Sequence, residues 1–68
     1  MVSATAFYGN HEITLTFPNQ AAYEQFRDTT TDVLRSGGGW VTYWMPHTRK
    51  EKYQFLVSPG VPLRLRMD

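Results

Sequence analysis

Ala4-Thr5-Ala6-Phe7-Tyr8-Gly9-Asn10-His11-Glu12-Ile13-Thr14-Leu15 is the stretch on which the fold turns. Gly9-Asn10 separates two runs of strand-forming residues, and a glycine at the first central position of a two-residue loop suits a type II′ turn. Pairing outward from that loop sets Tyr8 opposite His11, Phe7 opposite Glu12, Ala6 opposite Ile13, Ala4 opposite Leu15 and Val2 opposite Phe17. Ile13, Leu15 and Phe17 alternate with Glu12, Thr14 and Thr16, the period of a strand with one buried face. The register brings Ala4 and Ala6 onto that same inner face. Side chains this small leave room for a bulky element to lie across the strands.

The following segment supplies that element. Pro18-Asn19 stops the strand, and asparagine is a good helix N-cap. Tyr23, Phe26, Thr30, Val33 and Leu34 recur at spacings of three and four, with Ala22 and Thr29 beside them. Gln20, Glu24, Gln25, Arg27, Asp28, Thr31 and Asp32 fall on the other side. Ser36-Gly37 closes the helix, with Gly37 in the left-handed cap position. Thr29-Thr30-Thr31 is its weak turn, because β-branched residues lose rotamer freedom in a helix, so packing must hold it.

After the glycines, Trp40-Val41-Thr42-Tyr43-Trp44-Met45 is a strand by composition and Pro46 ends it. Trp40, Thr42 and Trp44 share one face; Val41, Tyr43 and Met45 share the other. Residues His47 to Glu51 form a polar, mostly basic loop. Tyr53, Phe55 and Val57 then alternate with Gln54 and Leu56 in a further strand, and Ser58-Pro59-Gly60 is a turn. In the last strand Val61, Leu63, Leu65 and Met67 point in, and Arg64 and Arg66 point out. Pro62 cannot donate to a ladder, which marks this strand as an edge at its start. The prediction is a single α+β domain over residues 1–68, an antiparallel sheet in the order ββαβββ with one helix packed on one face.

The 68 residues carry a net charge of +1, and an aromatic content of 15% excludes a disordered composition. A domain this short has a thin core and gains from a partner subunit. The absence of cysteine excludes disulfides, thiolate metal sites and cysteine catalysis. No apolar run is long enough to span a membrane, and no basic-then-apolar leader opens the chain, so a cytoplasmic location is expected. His11 and His47 are the only histidines and have no ligand set around them. Ser58 sits in turn chemistry, not in a nucleophile elbow. Asp28 and Asp32 lie one turn apart on the solvated side of the helix. Gly37-Gly38-Gly39 follows a helix where a phosphate loop would precede one. One helix on a small sheet rarely encloses a substrate pocket. Neither an enzyme nor a bound metal or cofactor is expected.

The course from Phe7-Tyr8-Gly9 through one helix to Trp40, and above all Leu56-Val57-Ser58-Pro59-Gly60-Val61-Pro62-Leu63, resembles small uncharacterised proteins of actinobacteria and their phages. Those proteins begin with a Leu-x-Tyr-Gly-like motif, continue through a central helix and an aromatic strand, and end in a Leu-x-Pro-x-x-Pro-Leu-like strand. The present helix departs from their Leu- and Arg-rich one. The resemblance implies the element order and a small accessory protein, and brings no catalytic residue with it.

The functional signal is aromatic and basic density in the C-terminal half, where Trp40, Tyr43, Trp44, Tyr53 and Phe55 lie on adjacent strands. A sheet with a single helix leaves one face uncovered. Phe7, with either Trp40 and Trp44 or Tyr43 and Met45, belongs on it. Exposed aromatic patches mark interfaces, where aromatics, Met and Arg are enriched. The expectation is a non-enzymatic protein-interaction module that forms a homodimer and binds an unidentified protein through Phe7, Trp40, Trp44, Arg64 and Arg66. The alternative is a single-stranded nucleic-acid binder that stacks bases on Trp40 and Trp44 beside Arg49, Lys50 and Lys52.

Overall fold

The computed structural model describes residues 1–44 and 52–68. The chain runs β1 (Val2–Tyr8), β2 (His11–Phe17), α1 (Gln20–Arg35), β3 (Gly39–Trp44), β4 (Lys52–Val57) and β5 (Leu63–Met67). This is the α+β class and the ββαβββ order, with antiparallel pairing throughout. The pairing divides into two ladders, a three-stranded one in the order β2-β1-β5 and a two-stranded one of β3 with β4. The expected positions of Met45 and Pro46 and the loop from His47 to Glu51 lie outside the described residues.

The β1–β2 register is the one read from the turn, from Val2 opposite Phe17 to Tyr8 opposite His11. Gly9 has φ +59°, the positive value that the first central position of such a turn requires. Ala4 and Ala6 are fully buried. They share one core with Leu15, Phe17 and Leu63 of the same ladder, Val41, Tyr43, Phe55 and Val57 of the other, and Tyr23 and Phe26 of the helix. Phe17 is the hub: its ring meets Tyr23, Phe26 and Tyr43 at centroid distances of 5.5–5.6 Å.

Helix α1 is bounded as its sequence dictates. The Asn19 side-chain Oδ1 accepts from the Ala22 N–H at 2.8 Å. At the other end Gly37 N–H donates to the Leu34 C=O and Gly38 N–H to the Val33 C=O, the double bond of a Schellman cap. Buried Thr30 satisfies its hydroxyl by donating to the Phe26 C=O at 2.9 Å. Its neighbour Thr29, expected beside the apolar stripe, is exposed. Gly38 has φ +116°, and a Cβ there would lie 2.6 Å from the Val57 C=O. The glycine run therefore lets the chain turn off the helix while pressed against the end of β4.

Two tyrosine hydroxyls join the ladders. The Tyr43 hydroxyl of β3 accepts from the Thr16 N–H at 2.9 Å and donates to the Thr16 C=O at 2.7 Å. Both groups of Thr16 point away from β1, so this one phenol occupies a position on the open edge of β2. The Tyr8 hydroxyl of β1 donates in turn to the Leu56 C=O of β4 at 2.6 Å.

Some inward assignments change. Val61 is 43% exposed, because it closes the Ser58–Val61 turn instead of opening β5. Burial falls along β5 from Leu63 through Leu65 to Met67, which is 38% exposed. Tyr53 keeps to the Phe55 side of β4 but lies at its start, stacked on Tyr43 at 6.3 Å and open to solvent on its far side.

Candidate interaction surface

The alternation of β3 is fixed by what it buries. Val41 and Tyr43 enter the core, so Trp40, Thr42 and Trp44 face outward. The register with β4 sets Leu56 across from Trp40, Gln54 across from Thr42, and Lys52 across from Trp44. Trp40, Trp44 and Leu56 are 63%, 55% and 51% exposed. Their backbone positions are four residues apart on one strand, about 13 Å at the usual strand rise. The Lys52 ammonium lies 5.2 Å from the Trp44 ring centroid, a cation–π contact at the rim of the patch.

Phe7, Arg64 and Arg66 come together elsewhere. Phe7 is opposite Arg64 in the β1–β5 ladder, and the Arg66 guanidinium sits 5.3 Å over the Phe7 ring. Around them the outer face of this ladder carries Thr5, Glu12, Thr14 and Asp68, with Thr5 donating to the Asp68 carboxylate at 2.9 Å. It is a mixed polar face on which the single aromatic ring is partly roofed by a guanidinium. A shallow open depression of about 310 Å³ lies between the β1–β2 turn and the β4–β5 turn, with Phe7, Pro62 and Arg64 on its walls.

The five residues expected to act together thus belong to two ladders, Trp40 and Trp44 on one and Phe7, Arg64 and Arg66 on the other. The aromatic residues of β3 and β4 are likewise divided by the pleat: Tyr43 and Phe55 are core, and Trp40 and Trp44 are surface. Of the residues read as a nucleic-acid site, Trp40, Trp44 and Lys52 share a face, and Arg49 and Lys50 lie outside the described residues. Sequence reasoning overlooked Leu56, whose place across from Trp40 completes the apolar patch. Its signal was the Gln54/Leu56 alternation opposite Phe55. Among the described residues no group of three or more His, Asp or Glu is placed to hold a metal ion, and no helix is long and apolar enough to cross a membrane. No family model, curated protein or solved structure matches the chain.

Proposed function

We propose that the protein is a small non-enzymatic interaction module that self-associates and docks a partner protein through the outer face of the β3–β4 ladder. The observation that carries this reading is the cluster of Trp40, Trp44 and Leu56, each more than half exposed on one face of the β3–β4 ladder. Large apolar side chains gathered on a surface are costly to leave in water, and aromatics of this kind anchor protein interfaces. A thin core supports the same reading, since association adds buried apolar area that a chain of 68 residues lacks. The resemblance of its aromatic strand and Pro-rich last turn to small actinobacterial and phage proteins supports a role as a cytoplasmic accessory protein.

Sedimentation velocity across a concentration series tests the self-association. The wild-type chain is expected to move from monomer to dimer, and the Trp40→Ser/Trp44→Ser variant to stay monomeric with unchanged circular dichroism. A wild-type chain that remains monomeric at the highest concentration overturns it. The Lys52 ammonium beside Trp44 favours single-stranded nucleic acid as the second reading. Indole quenching by a mixed-sequence oligonucleotide, steeply weakened by salt, would replace the first reading with the second.

A further inference from the structure

The two edges of the three-stranded ladder are treated differently. On β2 the Tyr43 hydroxyl already occupies both backbone groups of Thr16. On β5 the Asp68 N–H donates to the Ser3 C=O, which fixes Ser3–Asp68, Thr5–Arg66 and Phe7–Arg64 as the hydrogen-bonded pairs of the antiparallel alternation. The N–H and C=O groups of Leu65 and Met67 therefore point away from β1. Among the described residues neither has a further backbone partner. Burial also falls toward this end, with Leu65 half-buried and Met67 exposed. Between Leu63 and Met67 there is no proline or bulge to interrupt pairing, and the devices this short edge carries against indiscriminate pairing are the charges of Arg64 and Arg66.

Charge says what such an edge would accept. Arg64 and Arg66 stand on the outer face of β5, and neither has a carboxylate within ion-pair distance among the described residues. A second β5 paired antiparallel about Leu65 would set Arg64 of each copy against Arg66 of the other, and like charges directly opposite destabilise a pair. A strand with acidic residues at alternate positions meets the same arginines favourably.

We propose that the β5 edge at Leu65 and Met67 is a strand-addition site for an extended peptide segment that carries Glu or Asp at alternate positions. Arg64 and Arg66 select the charge of the added strand, and the backbone of Leu65 and Met67 holds it. The site is separate from the tryptophan face, so its failure would leave the proposed function standing.

The test titrates the 15N-labelled chain with an eight-residue peptide of alternating valine and glutamate, against the same peptide with lysine in place of glutamate. The acidic peptide is expected to bind and to protect the Leu65 and Met67 amides from exchange, while the Glu12 and Thr14 amides of β2 are unaffected. Met67→Pro removes an outward donor and leaves the β1 bonds of Arg64, Arg66 and Asp68 in place. It should weaken binding about tenfold, the loss of one hydrogen bond. Arg64→Glu/Arg66→Glu should reverse the preference to the lysine peptide. Equal affinity for the two peptides, no binding by either at millimolar concentration, or protection confined to β2 or to the Trp40 face would overturn the proposal.

Discussion

Tyr43 combines two roles in one side chain. Its ring fills the core between Phe17 and Phe26, and its hydroxyl serves both backbone groups of Thr16. Tyr43→Phe keeps the ring and leaves a part-buried donor and acceptor without their partner. It is expected to cost about 1–3 kcal/mol in urea unfolding followed by far-ultraviolet circular dichroism. Gly38→Ala should destabilise the protein clearly more than Gly9→Ala. Both alanines would sit at positive φ, but only the Gly38 methyl meets backbone, at 2.6 Å from the Val57 C=O. Of these features the glycine run was legible as a helix exit. The need for glycine at its middle position was not, because that need arises from contact with β4, which the local sequence does not contain.

Among the elements, the hairpin and the helix were read most completely, since their determinants are local. A two-residue loop fixes every pair of β1 with β2, and Asn19 with the spacing of Tyr23, Phe26 and Thr30 fixes the start and buried face of α1. Asn19→Ala should cost about 0.5–2 kcal/mol through loss of the Ala22 N–H partner. The inner face of β1 is small because the core above it is full. Ala6 is completely buried, and Ala6→Leu should destabilise by about 1–3 kcal/mol through overpacking. Thermal unfolding measures both variants. The β3 strand was legible only up to a choice of face. Both of its faces are aromatic, so periodicity alone did not decide between Trp40 with Trp44 and Tyr43 with Met45. The hydrogen bond to Thr16 and the packing against Phe17 decide for Tyr43 as the inner residue.

For the molecule as a whole, the order of elements was visible in the chain and the division into two ladders was not. Neighbouring strands usually pair, yet β5 leaves β4 through the Ser58–Val61 turn and pairs with β1 at the far end of the sequence. No turn residue encodes such a long-range choice. The same division separates Phe7, Arg64 and Arg66 from the tryptophans, which a single-sheet reading had placed together. If the tryptophan face closes a dimer, the wild-type melting temperature should rise with protein concentration. Trp40→Ser/Trp44→Ser should melt at one temperature throughout a dilution series followed by circular dichroism.

Placing both indoles outside the core also inverts the usual optical behaviour of a folded chain. With Trp40 and Trp44 each more than half exposed in the single chain, the emission of the folded monomer should already sit close to that of an indole in water. Unfolding would then shift its colour little. Covering the β3–β4 face would move it to the blue, while the folding signal would come from the buried ring cluster of Phe17, Tyr23 and Tyr43 in near-ultraviolet circular dichroism. The tryptophans of this protein report on what touches it, and its buried tyrosines report on whether it is folded.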